Sequence, residues 1–223
     1  MPVRHQGGSA LAKSKRRKSG RVSVSARQGA QNQLKSLMKY GLGGAAVVAV
    51  VVVIAFAVAS SSGSSGVGAT APDFSFSMYQ GIEEVGFRDG DLSDLHGGRP
   101  MVLNFWAGLC PPCRAEMPQF QAFYENSKDD ILVLGIDIGP FMGLGSKRDA
   151  EALLLELGVT YPAGWTDDGS VPRKFGVTGM PTTVFLKSDG EIFEKVSGAI
   201  DARFLTRATR DLMAAEAADE QGS

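Results

Sequence analysis

The chain has 223 residues, a formal net charge of −1 and 43% hydrophobic residues, which suits one globular domain of roughly 150 residues with extra segments rather than a string of domains. The total conceals an asymmetry: residues 1–39 hold ten of the 23 Lys and Arg and none of the 24 Asp and Glu, leaving thirteen cations against twenty-four anions from Tyr40 onward. A basic arm and an acidic body meet different partners, and nucleic acid is not expected as a partner.

The arm carries KSKRRK (Lys13–Lys18). Such a run can bind nucleic acid. Beside a membrane it reads better as a disordered tail that touches anionic lipid and fixes topology. That membrane segment is GLGGAAVVAVVVVIAFAVA, Gly41–Ala59, in which every residue is Gly or apolar. At about 1.5 Å per residue it spans close to the ~30 Å hydrocarbon core. Lys35 and Lys39 flank its start, so the N-terminus is expected in the cytoplasm and the acidic body on the far side. A cleaved signal peptide is the rival, with Ala57–Ala59 as an A-x-A site. The apolar run exceeds the usual ~7–15 residues of such a signal, and the basic region before it is very long. Arg16–Arg17 lies too far upstream for a twin-arginine signal. An uncleaved single-pass anchor over residues 40–59 is therefore favoured, and either reading exports the body. Ser60–Thr70, SSSGSSGVGAT, is a flexible tether. Ordered structure is expected over 71–217, with 218–223 as a tail.

Within the body, Asp73–Tyr79 and Glu83–Phe87 read as short strands joined through Gly81, and Leu92–Leu95 as a helical turn. Met101–Trp106 and Ile131–Ile138 are nearly continuous apolar runs, the pattern of central strands covered on both faces. Ser146–Leu157 has Ala150, Leu153, Leu154 and Leu157 at helical spacing, with Ser146 at the N-cap and Gly158 at the stop. Thr182–Leu186 and Glu191–Ser197 flank KSDG, a hairpin turn. Asp201–Ala217 is a final helix capped by Asp201. The order β-α-β-α-β-β-α predicts an α/β fold, a mixed sheet with helices on both faces.

The two cysteines, Cys110 and Cys113, lie in NFWAGLCPPCRAEMP (Asn104–Pro118). Proline suits the first turn of a helix, so Cys110 is predicted at the N-cap of a helix running toward Glu125, with Cys113 one turn inside. At i and i+3 the two share a face and can close a disulfide. The helix N-terminus favours an anion there and lowers the pKa of Cys110. Three readings compete. A zinc site needs about four ligands, and only His5, across the membrane, and His96 could add to the pair, so no metal is expected. A structural disulfide is the second, although a loop this short gains little entropy. A catalytic dithiol is the third and is favoured.

NFWAGLCPPCRAEMP resembles the active site of the thioredoxin superfamily, in particular its membrane-tethered TlpA/ResA-type thiol-disulfide oxidoreductases. The resemblance runs from about Ala71 to Ala215 and includes GMPTTVFL (Gly179–Leu186) and APDF (Ala71–Phe74). Peroxiredoxins share a start like APDF, but their lone reactive cysteine does not sit in W-x-x-x-C-x-x-C. The resemblance implies a thioredoxin-like fold, a cis Pro181 facing the dithiol, and a partner strand held by Met180, Pro181 and Thr182. It also implies protein thiols and disulfides as substrates, a membrane electron donor or acceptor, and no cofactor beyond the Cys110–Cys113 disulfide. Thioredoxins carry a buried Asp where this chain has Asn104, which cannot titrate. Glu116, three residues after Cys113, matches a family position where a carboxylate near the dithiol helps proton transfer. Leu109 replaces the usual Trp. Pro111 and Pro112 remove two backbone donors, leaving Cys113 N–H as the first; a less stabilised thiolate argues against a very strong oxidant.

Trp106 is expected in the wall of the site. If Ile131–Ile138 runs parallel to Met101–Trp106, then Phe141, Met142 and Leu144 of GPFMGLGS (Gly139–Ser146) reach the same edge as Cys110, either as an apolar docking patch or folded back onto the core. Three functions follow: a reductase of exported proteins, for example in cytochrome c maturation; an oxidase that forms their disulfides; or a non-catalytic docking domain with a structural disulfide.

Overall fold

The computed structural model describes residues 66–222. The basic arm and the anchor expected over 40–59 lie outside the described residues, among which no helix is long and apolar enough to cross a membrane. Among the described residues seven strands form one sheet: β1 (Ser75–Gln80), β2 (Asp89–Asp91), β3 (Met101–Trp106), β4 (Leu132–Asp137), β5 (Ala163–Trp165), β6 (Thr182–Leu186) and β7 (Ile192–Ser197), in spatial order β2-β1-β5-β4-β3-β6-β7. The centre, β3-β4-β5, is parallel, and the flanking pairs are antiparallel, so the sheet is mixed as predicted.

Every residue of β3 and β4 is buried, which explains why both runs are apolar without alternation. One face of the sheet, with Val102, Trp106 and Val133, packs against the three long helices α2 (Pro111–Ser127), α4 (Lys147–Leu157) and α6 (Ala202–Gly222) through Phe120, Leu153, Leu205 and Leu212. The opposite face, with Leu103, Phe105 and Ile136, is covered by Phe74, Phe76 and Phe175 and by the single-turn helices α1 (Ile82–Val85) and α5 (Val171–Lys174). Helices thus lie on both faces, with the long ones gathered on one. Of the remaining short helices, a 3-10 turn over Leu92–Leu95 stands where a helical turn was expected, and α3 (Gly139–Met142) follows β4 directly.

Local chemistry sets the helix ends. In α4, Ser146 Oγ accepts from Asp149 N and the Asp149 carboxylate accepts from Ser146 N, a capping box. Asp201 Oδ1 accepts from Phe204 N at 2.7 Å, the predicted cap of α6. Pro111 and Pro112 occupy the first two positions of α2, where a missing N–H costs nothing.

Four expectations change. Glu83–Phe87 is not a strand: Gly81 and Gly86 both take positive φ and enclose the helical turn α1. Strands β2 and β5 were not foreseen; at three residues each they are too short to show a periodicity. The linker expected over 60–70 is packed backbone from Gly66, because the edge of β7 offers unpaired groups: Gly68 N donates to Ile192 O and Ile192 N to Ala69 O, each at 2.8 Å. The tail expected at 218–223 is a continuation of α6 through Gly222.

Candidate active site

Strand β3 ends at Trp106, and the turn Ala107–Gly108–Leu109 delivers Cys110 to the N-cap of α2 with extended backbone (φ −98°, ψ 106°). Cys110 and Cys113 are joined by a disulfide, with Cα atoms 5.3 Å apart. Both are buried, whereas Pro111 and Pro112 are exposed and Leu109 is 60% exposed. Cys113 N donates to Cys110 Sγ at 3.2 Å. Because the two prolines before it carry no N–H, this is the first amide of the helix able to reach that sulfur. The positive end of the helix faces the same atom.

One turn further along α2, Glu116 is buried with its carboxylate fully engaged. Asn104 Nδ2 donates to Oε1 at 2.9 Å, and the backbone N of Ile200 donates to Oε2 at 3.1 Å. The other amide hydrogen of Asn104 goes to Thr183 Oγ1 at 3.0 Å, so β3 and the turn before α6 meet α2 at this carboxyl group, and β6 holds Asn104 from behind. Burial pushes Glu116 up to about 7, against the pull of those two hydrogen bonds. A cavity of about 210 Å³ lined by Glu116, Ala115, Gln119, Ala199, Ile200 and Asp201 adjoins this residue. A carboxyl half-ionised near neutral pH, on the same helical face as Cys113, can take and release a proton there.

The Met180–Pro181 peptide is cis. Antiparallel pairing of β6 with β3 sets Thr182 opposite Phe105, so the Pro181 loop reaches the same sheet edge as Trp106 and the dithiol turn. Pro181 O accepts from Gly198 N, and Thr182 Oγ1 donates to Gly179 O, both at 2.8 Å. Met180 is half-buried and packs against both halves of the core. Trp106 is fully buried; its indole lies over Gly135, where a Cβ would fall 2.9 Å from Nε1.

The apolar patch expected from Phe141, Met142 and Leu144 is not assembled as one surface. Residues 139–142 form α3, and Gly143 and Gly145 take positive φ, which folds Met142 and Leu144 inward against opposite halves of the core. Leu144 instead offers its carbonyl, which accepts from Leu109 N at 2.8 Å. Phe141 is 39% exposed, with its ring against Gly169.

One buried acid was missed. Asp137 ends β4 beside Trp106, its register partner. It is buried, and its carboxyl accepts from Gly139 N at 2.8 Å and Tyr79 Oη at 3.1 Å. Burial pushes it up to about 6; burial and this neighbouring acid together push the Tyr79 phenol above its ordinary range. Its place inside an apolar run hid it, although an acid at the carboxyl end of a central strand is the signal to look for. Among the described residues no cluster of three His, Cys, Asp or Glu is placed to hold a metal ion.

A model of the AhpC/TSA family matches residues 67–195. The chain is 37% identical over 134 residues to the thiol-disulfide oxidoreductase ResA of Oceanobacillus iheyensis, covering 60% of this chain and 66% of that one. It is 30% identical over 135 residues to ResA of Geobacillus thermodenitrificans, covering 60% and 71%. The fold superposes on the crystal structure of StoA from Bacillus subtilis with a TM-score of 0.51, at 23% identity, over 62% of this chain and 97% of that one.

Proposed function

Because the chain belongs to the AhpC/TSA family and is a thioredoxin-fold thiol-disulfide oxidoreductase of the ResA type, we propose that it reduces disulfides of exported proteins from a membrane-tethered, extracytoplasmic position. One observation carries the reading: a cysteine pair at a helix N-cap with a buried carboxyl, Glu116, one turn behind it. The Cys110 thiolate attacks one sulfur of a partner disulfide. The partner's S–S bond breaks, a mixed disulfide forms, and the partner's other sulfur leaves as a thiolate. Glu116 takes the Cys113 proton, and the Cys113 thiolate attacks the Cys110 sulfur. The mixed disulfide breaks and the second partner thiolate leaves. Two electrons have passed to the partner, and Cys110–Cys113 is oxidised.

Asn104 holds Glu116 in place, Met180 offers its backbone to the partner strand where the cis Pro181 and Thr182 set the loop, and Trp106 closes the wall behind the sulfurs. Leu109 and Phe141 are the apolar side chains a partner meets beside the site; Leu144 contributes through its backbone. No dissociable cofactor takes part, and a membrane electron donor returns the pair to the dithiol. The direction rests on the prolines. With Pro111 and Pro112 silent, a single backbone N–H among the described residues reaches Cys110 Sγ, and a strong oxidant needs a more stabilised thiolate. Apocytochrome c is one substrate of suitable chemistry, and the apolar span over residues 40–59 is the proposed anchor.

Trapping tests the assignment. Cys113→Ser should accumulate mixed disulfides with exported proteins through Cys110, and Cys110→Ser should accumulate none. Full exchange activity in Cys110→Ser would remove Cys110 as the attacking thiol, and no exchange activity in the parent would leave a docking domain with a structural disulfide. In intact cells a membrane-impermeant thiol reagent should label the reduced Cys110; protection until lysis would put the domain in the cytoplasm.

A further inference from the structure

The turn that carries Cys110 is held from below by the segment after β4. Ile138 N donates to Trp106 O at 3.0 Å, Leu144 N donates to Gly139 O at 3.0 Å, and Leu109 N donates to Leu144 O at 2.8 Å. The backbone on either side of the turn is therefore tied to residues 138–144. On its other side Gly108 abuts α4 so closely that a Cβ would fall 2.5 Å from Ala150 N. Asp137 ties down the start of this segment, with Gly139 N donating to Oδ1, and is itself held by Tyr79 Oη donating to Oδ2. The packing meets at one point: a Cβ on Gly139 would lie 2.9 Å from Asp137 Oδ1, 3.0 Å from Ala107 Cβ and 3.2 Å from Leu144 O. From Leu132 to Ile138 every other residue is Gly or apolar. A carboxyl buried there is costly unless it satisfies donors that would otherwise be stranded. An apolar residue would leave Gly139 N and the Tyr79 hydroxyl without this acceptor.

We infer that Asp137 is a positioning residue for Cys110: it pins the cradle of residues 138–144, and the cradle holds the turn that aims the attacking sulfur. The inference rests on Cys110 as the attacking thiol. Glu116 serves the second half of the exchange, from the helix after the dithiol; Asp137 serves the first half, from the strand beside it.

The test uses the full-length reduced chain in detergent and a small aromatic disulfide, dithiobis(nitrobenzoate), which releases one coloured thiolate when Cys110 attacks and a second when Cys113 resolves. Asp137→Ala and Gly139→Ala should slow the first release by roughly ten- to hundredfold, the scale of an ångström-level misplacement, and leave the second release unchanged. Asp137→Asn should restore a first release close to the parent's, since its amide oxygen still accepts from Gly139 N. A parental first release in Asp137→Ala would overturn the inference. So would an Asp137→Asn variant as slow as Asp137→Ala, because charge rather than position would then be at work. Where Asp137→Ala loses its far-UV dichroism, Gly139→Ala decides, with a parental rate overturning the inference. Cys110→Ser runs in parallel: attack at the parental rate there would remove the underlying assignment of Cys110, a different failure from any of these.

Discussion

Replacing Glu116 by Gln deletes a carboxyl that burial has pushed up to about 7 from an ordinary 4.5. The gap between those values corresponds to about 3 kcal/mol at ~1.4 kcal/mol per pH unit. In the unfolded chain the group ionises near the lower value, and in the folded protein near the higher one. Between them the folded state binds more protons, so its stability falls as pH rises and the loss is complete above the folded value. Gln cannot titrate, and that loss disappears. Asn104 Nδ2 can still donate to the Gln oxygen, but the Gln amide would face Ile200 N–H, donor against donor. That conflict costs about 1–3 kcal/mol at every pH and drops out of the pH dependence. Asp137 titrates in both proteins and cancels. Urea unfolding of the oxidised parent and of Glu116→Gln at pH 4, 6 and 8 reads the difference. The parent should lose about 3 kcal/mol more than the variant from the lowest to the highest pH. Parallel curves would refute a buried, strongly shifted Glu116.

Further expectations follow from the same geometry. Glu116→Gln should slow resolution of a mixed disulfide roughly a hundredfold near neutral pH, the scale of general-base catalysis, with little effect on the first attack; stopped-flow rates that fall together would count against the assigned role. Asn104→Ala removes donors from both Glu116 and Thr183, which should cost about 1–3 kcal/mol in unfolding experiments and move the pH dependence of resolution upward. Leu109→Ser, at a 60% exposed position, should leave the melting temperature nearly unchanged and slow exchange with a protein partner but not with a small disulfide. An equal effect on both substrates would deny Leu109 a part in partner contact.

Most of the site could be read from the sequence because its chemistry is local. The dithiol, the prolines of the first turn and Glu116 lie within seven residues of one helix start, and helical spacing alone places Cys113 and Glu116 on one face. What Glu116 touches was not legible, since Asn104 lies on β3 and Ile200 precedes α6, and neither spacing nor propensity relates them. The cis peptide at Pro181 came only from the family resemblance. Asp137 stayed hidden because a strand buried on both faces has no alternation to mark an odd residue. Glu83–Phe87 misled because two glycines at positive φ turned a strand-like run into one helical turn. The Phe141–Leu144 loop failed as a patch for a similar reason: glycine geometry at 143 and 145, invisible in composition, turned its apolar residues inward. The shortest strands, β2 and β5, exist through their sheet partners rather than through a pattern of their own.

The equilibrium reduction potential of Cys110–Cys113 tests the central claim most directly. The oxidised protein would be titrated against dithiothreitol and glutathione buffers and the free thiols quenched and counted. A reductase with one backbone N–H on its attacking sulfur should poise near or below the thioredoxin range, roughly −270 mV. A value near the strong oxidants, around −120 mV, would contradict the proposed direction and make the protein a source of disulfides instead.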